Sequence, residues 1–417
     1  MTRNVGCLPV GAATALLFLA GARTAGAQAG SAPPVIVRWN NGLDVLTPDG
    51  DNELQLGALI QVDGRFAPDD PLHQVEDTFV VRRLRPIIQG RLAKYFEFRL
   101  MPDFGNGTTV LYDAYLDVRL TKSFRVRLGK DKTPLGLEQL YSDYALLFPE
   151  RTLASNLVPN RDVGVQAQGD VAGVVSYIGG VFNGVPDGAN GDLDSGPGKD
   201  LAGRATVRPF AKATTMTAAR GAGVAVGATR GSESGTLPVY RSAAQQTFFA
   251  YAPGVVADGD RTRVSPSAFY YFKSIGAFSE YARTTQAVRG PRTSATGTNT
   301  AWEVTGSYVL TGEAASERGV VPAQPFDPAQ HHWGALQVMA RHSQLSVDPA
   351  LFAQGLAAAG ASGTASATGV GLAMYANSAV KFVITYERTV FDGNPSGSRP
   401  AEHAIVFRAQ LNLQPAL

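Results

Sequence analysis

Residues 111–120 read LYDAYLDVRL, and apolar and charged side chains alternate along them. One face carries Tyr112, Ala114, Leu116, Val118 and Leu120, and the opposite face carries Asp113, Asp117 and Arg119. Residues 92–101 and 124–128 repeat the pattern. Alternation with a period of two is typical of a sheet whose two faces meet different environments. We therefore predict consecutive short strands in this part of the chain.

The N-terminus favours a barrel in a lipid bilayer over a soluble sandwich, two folds that the alternation alone does not distinguish. Arg3 begins a weakly basic start, residues 12–20 form an apolar run, and Ala25-Gly26-Ala27 is a site of small residues suited to cleavage. The run is too short for a spanning helix, which needs about 18 to 20 apolar residues. We predict a signal peptide at residues 1–27, a short N-terminal arm at 28–50 and the barrel at 51–417.

Composition limits the function classes. Lysine and arginine number 37 against 35 aspartates and glutamates, so no strong basic field points to a nucleic-acid partner. The single cysteine, Cys7, lies in the predicted signal peptide. An exported chain without disulfides argues against a small disulfide-stapled domain and fits a large sheet that closes on itself.

Further alternating segments lie at residues 54–62, 302–310, 380–387 and 405–413, and turn dipeptides such as Asn106-Gly107 separate the segments. With strands of about ten residues, about 16 strands fit in the chain that remains after cleavage. The predicted fold is an all-β transmembrane antiparallel barrel, and a barrel of that size leaves an aqueous channel.

The charged face of each strand is predicted to line the channel. An Arg or Lys on the lipid side near mid-membrane costs about 2–4 kcal/mol, so Asp113 and Arg119 must face the lumen. Arg83 and Arg85 share parity with Gln89, opposite the apolar Leu84. Arg82 has the wrong parity, so a lumenal position requires a β-bulge or a place at the membrane rim.

No enzymatic activity, cofactor or metal is expected. Residues 231–235, GSESG, place glutamate where a serine nucleophile belongs in a G-x-S-x-G elbow. His331 and His332 would point to opposite faces of a strand and lack ligand partners at metal spacing. Arg261 and Arg263 are predicted to lie in loops.

Several motifs resemble a known family in the same order along the chain. Residues 81–85 (VRRLR), 90–98 (GRLAKYFEF) and 111–116 (LYDAYL) resemble successive strands of the phosphate-selective porin family. Residues 128–138 (LGKDKTPLGLE) resemble the passage that leads into its constriction loop. Residues 149–151, 180–184, 310–313 and 407–411 extend the similarity over nearly the whole mature chain.

This resemblance implies a barrel of about 16 strands in the outer membrane of a Gram-negative bacterium, usually a homotrimer in contact with outer-membrane lipid. It also implies a long loop that folds inward and a channel in which small anions, such as phosphate or polyphosphate, pass along basic side chains. By motif, the family's adjacent arginines and nearby aspartate fall on Arg82, Arg83 and Asp113.

Other cations lie in or beside the implied inward loop. Lys130, Lys132, Arg151 and Arg161 are candidates to complete a ring of positive charge around the pore. Two alternatives stay open at this stage. One is a general porin with weak charge preference, and the other is a secreted soluble all-β binding protein whose apolar faces form a sandwich core.

Overall fold

The computed structural model describes residues 35–68, 77–121, 123–193, 196, 198–395 and 397–414. The predicted signal peptide, residues 1–27, lies outside the described residues. The described strands are β1 (Ile36–Trp39), β2 (Leu43–Leu46), β3 (Glu53–Phe66), β4 (Thr78–Leu92), β5 (Phe96–Asp103), β6 (Val110–Thr121), β7 (Phe124–Lys132), β8 (Arg161–Val171), β9 (Val175–Phe182), β10 (Asp200–Val207), β11 (Ala222–Gly235), β12 (Tyr240–Arg241), β13 (Thr247–Phe249), β14 (Val256–Phe272), β15 (Ile275–Arg289), β16 (Ser294–Val309), β17 (Ala335–Ser346), β18 (Thr364–Tyr375), β19 (Val380–Asp392) and β20 (Glu402–Leu413). Helices are short: α1 (Leu137–Leu140), α2 (Pro349–Ala353) and the 3₁₀ turns Gly105–Gly107, Leu153–Leu157, Thr217–Gly221 and Pro328–Gln330.

Sixteen of these strands form one closed antiparallel barrel. Strands β3 to β11 and β14 to β20 each pair with the next, and β20 pairs back onto β3 through the register Gln410↔Gln61. Strands β12 and β13 form a separate small sheet in the connection between β11 and β14. The predicted all-β barrel of about 16 strands is therefore confirmed.

The two faces of the wall differ as the alternation predicts. On β4, Arg83, Arg85 and Gln89 are buried on the inner side, while Leu84 and Ile88 are exposed on the outer side. The apolar side chains on the outer side are unfavourable in water but favourable against lipid acyl chains. The polar side chains on the inner side contact water or each other. The wall of this barrel therefore suits a bilayer on its outside.

The N-terminal hairpin of β1 and β2 belongs to the same sheet. Leu43 of β2 pairs with Leu56 of β3, just past the point where Leu413 of β20 pairs with Ala58. The Asn41 side-chain amide also donates to the Asn412 carbonyl at 3.1 Å. Residues 36–46, predicted as part of an arm, thus prolong the barrel wall beyond the end of the last strand.

The connections between strands differ at the two ends of the barrel. At the turn end, which also holds both described chain ends, most connections are short turns, including residues 93–95, 172–174, 273–274 and 376–379, whereas residues 208–221 and 310–334 are longer. At the loop end, residues 133–160, 183–199, 236–255 and 347–363 make long loops. Outer-membrane barrels have short periplasmic turns and longer extracellular loops, so the loop end faces the outside. None of the helices in the described part of the chain has the length and apolarity to span a membrane.

One long loop folds into the lumen. Residues 133–160, here called the inward loop, connect β7 to β8 and contain α1. Lys381 of β19 donates to the Leu146 carbonyl at 2.9 Å, and Arg408 of β20 donates to the Pro149 carbonyl at 2.6 Å. The inward loop therefore crosses the lumen to the opposite wall, which confirms the predicted constriction loop.

The loop prediction for Arg261 and Arg263 is wrong. Both lie on β14 and point inward, where Arg261 pairs with Asp200 at 2.8 Å and Arg263 pairs with Asp187 at 2.6 Å. A register shift between Ala257 and Arg261, together with the positive φ of Gly259, interrupts the alternation by which a strand is predicted from sequence.

Candidate pore constriction

Two cavities lie inside the barrel on either side of the inward loop. The outer cavity, toward the loop end, has a volume of about 520 Å³, and the inner cavity, toward the turn end, has about 330 Å³. Only Arg85, Asp143 and Arg161 line both of them among the described residues. These three side chains, which we call the constriction, therefore lie where the two cavities meet.

The constriction is built from two strands and the inward loop. Arg85 of β4 donates from Nε to Asp103 at 2.6 Å and also pairs with Asp143 of the inward loop. Arg161, the first residue of β8, donates from Nε to Asp113 at 2.8 Å. Both guanidinium groups are buried, and each is held in a fixed orientation by a carboxylate.

Tyr112 separates the two guanidinium groups. Its ring centre lies 3.9 Å from the Arg85 Cζ and 4.2 Å from the Arg161 Cζ, which is cation–π distance. The lipid-facing position predicted for Tyr112 from strict alternation is wrong. Met101 pairs with Asp113 and Pro102 pairs with Leu111, so a bulge leaves Tyr112 unpaired. An inserted residue reverses side-chain direction locally, and the ring turns into the lumen.

A second bulge brings Arg82 inward, as its parity required. Gln61 pairs with Arg83 while Val62 pairs with Val81, so Arg82 has no partner on β3. The Arg82 Nε and Nη2 donate to Glu150 at 2.6 and 3.0 Å. Arg83, its neighbour, donates to the Gln61 side chain at 2.6 Å. Both arginines line the outer cavity, directly above the constriction.

The remaining predicted site residues divide into two groups. Arg151 pairs with Asp143 at 2.7 Å and lines the outer cavity, and Lys132 donates to the Tyr141 carbonyl at 2.7 Å and lines the inner one. Lys130 pairs with Asp192, and Arg119 pairs with Glu97 at 2.7 Å near the turn end. The last two, Lys130 and Arg119, line neither cavity.

Two carboxylates that the sequence did not single out organise the site. Asp143 faces Arg83, Arg85 and Arg151. Glu150 joins Arg82 to Arg65, which it contacts at 2.6 Å. Both lie in the inward loop, where no strand periodicity indicates which side chains face the wall.

Cations outnumber carboxylates along the two cavities. The cationic lining consists of Arg82, Arg83, Arg85, Arg99, Arg127, Lys132, Arg151, Arg161 and Arg241, and the acidic lining of Asp113, Asp131, Asp143, Glu150 and Asp187. The lining is therefore positive in sum, and low-dielectric walls strengthen its field at the ends of the path.

Burial and the neighbouring arginines shift the pKa values of the two loop carboxylates in opposite directions. Burial alone would raise the pKa of Asp143, but Arg151, Arg83 and Arg85 hold that pKa well below its usual range. Burial would likewise raise the pKa of Glu150, but Arg82, Arg65 and Arg83 hold it well below its usual range. A lowered folded-state pKa contributes stability that is fully present above the unfolded pKa and is lost progressively as pH falls through the lower, folded-state pKa.

We therefore expect the inward loop to stay docked at moderately acid pH. Open-channel conductance at fixed salt should be the same at pH 7 and near pH 4, the ordinary pKa range of Asp and Glu, and change only at lower pH. Single-channel recordings across this range measure it. A step in conductance between pH 6 and 4 would contradict the prediction.

A known protein family matches nearly the whole barrel. The model of the phosphate-selective porin O and P family matches residues 54–413. The chain belongs to this family. The match covers all sixteen barrel strands and the inward loop, so family membership and fold together make the protein a porin channel of the outer membrane.

Solved structures share the fold of this porin at low sequence identity. The outer membrane channel DcaP of Acinetobacter baumannii has a TM-score of 0.54 at 10% identity, covering 88% of this chain and 99% of that chain. An anion-selective porin from Comamonas acidovorans has 0.54 at 9%, covering 87% and 99%. OmpT of Vibrio cholerae, in its trimer form, has 0.50 at 10%, covering 87% and 99%. No curated protein sequence matches the porin.

Proposed function

We propose that this porin lets small anions diffuse passively across the outer membrane, and that phosphate is the anion its constriction suits best. The observation that carries the proposal is the pair of buried guanidinium groups, Arg85 and Arg161, that both cavities share. Guanidinium groups replace part of the hydration shell of an oxyanion in fixed geometry. The similar fold of an anion-selective porin agrees with this function.

The carboxylates at the constriction support passage rather than tight capture. Asp113 and Asp143 already hold Arg161 and Arg85, so an entering anion competes with a resident carboxylate. Conduction requires binding that is favourable enough for entry and weak enough for release. The same pairing favours the second candidate, a general porin with only weak charge preference.

Export and assembly complete the proposal. We propose that residues 1–27 direct the chain through the inner membrane of a Gram-negative bacterium and are removed, and that the barrel works as a homotrimer in outer-membrane lipid. Chemical cross-linking of the detergent-purified protein tests the trimer.

A planar-bilayer experiment separates the specific from the general channel. The reversal potential in a KCl gradient measures the preference for anions over cations. The chloride current measured with increasing phosphate tests whether the channel has a specific phosphate site. We expect anion preference and saturating block of chloride current by low phosphate. Currents that add linearly, with no block, would favour the general porin. If the protein in the membrane fraction migrated identically on a gel before and after boiling, that result would contradict the barrel itself.

A further inference from the structure

The connection between β16 and β17 is unlike its neighbours at the turn end. Residues 310–334 form it, whereas residues 273–274 and 376–379 close the adjacent hairpins. The segment is folded back onto the barrel, because Ala315 and Val320 are 6% and 5% exposed. They pack in one apolar cluster with Phe148 of the inward loop and Met339 of β17. The segment therefore enters the lumen from the turn end and contacts the inward loop there.

Three anchors fix this segment across the mouth. The Ala315 amide donates to the Lys273 carbonyl at 2.7 Å, and the Phe326 amide donates to the Ala376 carbonyl at 2.7 Å. Glu317 pairs with Arg208 at 3.1 Å. Arg208 directly follows β10, Lys273 lies between β14 and β15, and Ala376 directly follows β18. The anchors thus extend around the half of the barrel formed by β10, β11 and β14 to β19.

The inner cavity lies against the other half. Its wall residues come from β3 to β9 and include Leu59, Arg99, Tyr115, Arg127, Gln166 and Ile178. On the anchored half, Tyr141 and Leu147 of the inward loop and Glu317 of the segment enclose only a space of about 10 Å³. The larger of these two spaces, the inner cavity of about 330 Å³, therefore lies on the β3–β9 side.

We infer that residues 310–334 form a floor under one half of the lumen, which forces solutes to leave along the wall of β3 to β9. This inference rests on the proposed channel function. The floor has two consequences for transport. It limits the cross-section of the inner mouth, and it keeps a departing anion beside Arg99, Arg127 and Lys132, so the positive lining continues from the constriction to the exit.

Replacing the floor by a tight turn tests the inference. Residues 312–334 are exchanged for Asn-Gly, a dipeptide suited to a two-residue hairpin between β16 and β17. Single-channel conductance should rise about twofold because the other half of the mouth opens, and the anion preference should fall. Unchanged conductance in a folded variant would overturn the floor. Absence of any current or anion preference in the parent porin would instead overturn the proposed function.

Adjacent cysteines test the same point without shortening the chain. The only cysteine in the sequence is Cys7, so an introduced thiol is unique in a mature chain that lacks the predicted signal peptide. Val320→Cys is placed at a buried position, and Val321→Cys, 72% exposed, is its matched control. A charged methanethiosulfonate reagent should react much faster with Val321→Cys. Equal rates would overturn the floor even if the shortened variant does not fold.

Discussion

Arg85→Gln is expected to reduce the anion preference of the channel more than any other single substitution at the constriction. Arg85 lines both cavities and lies against Tyr112, so on the proposed path a permeating ion passes close to its charge. A unit charge several Å from a permeating ion, in a partly dry passage, contributes about 1–2 kcal/mol. Reversal potentials in a KCl gradient should show the anion-to-cation permeability ratio falling roughly 5- to 30-fold.

Two further variants make the result specific to charge at the constriction. Arg85→Lys keeps the positive charge and should retain most of the preference, although an ammonium group lacks the planar fork that contacts Asp103 and Asp143. Lys130→Gln removes a charge that is buried against Asp192 and lines neither cavity, so its reversal potential should match the parent. Equal losses in Arg85→Gln and Lys130→Gln would mean that only the overall charge of the barrel matters.

Glu150→Gln is expected to release the inward loop. Glu150 is a buried carboxylate that holds Arg65 and Arg82, both at 2.6 Å, and its backbone carbonyl accepts from Arg341 at 2.7 Å. Removing one partner of a buried ion pair typically costs about 3–5 kcal/mol because the other charges stay buried. We expect larger mean conductance and frequent current fluctuations in single-channel recordings.

An exposed ion pair at the same end of the barrel is the control. Arg289 and Asp258 contact at 2.5 Å, but both side chains are about half exposed, and such pairs contribute little. Asp258→Asn should leave conductance and its fluctuations unchanged. If Glu150→Gln had the same mean conductance and as few current fluctuations as the parent porin, the ion pairs of Glu150 would not be what holds the inward loop.

Much of the wall could be predicted from the sequence because a β-strand has only two faces. The parity of Arg83, Arg85 and Asp113 against their apolar neighbours agrees with the inner positions these side chains occupy. The bulge at Arg82 is one of the two arrangements that its conflict with that parity allowed. Their part in ion passage stays a prediction until currents are measured.

The bulge at Tyr112 and the positions of the loop carboxylates could not be predicted, because they depend on interactions that leave no periodic pattern in the sequence. Nothing in residues 111–116 marks the bulge that turns Tyr112 inward, since a bulge is decided by how two strands pair. Asp143 and Glu150 belong to a loop whose conformation is set by arginines on distant strands, including Arg83 and Arg408. Long-range partners of this kind cannot be inferred from local pattern alone.

The hairpin of β1 and β2 has a consequence for how the barrel forms. Strand β20 stops opposite Ala58, and without β2 the amide and carbonyl groups of residues 53–56 would form an unsatisfied edge. Such edges are unstable in hydrocarbon and prone to pair with other chains. Strand β2 reaches β3 through a short local connection, whereas β20 pairs with β3 across a very high sequence separation, a contact that is slow to form. Insertion can finish only after β20 has paired with β3 beside β2.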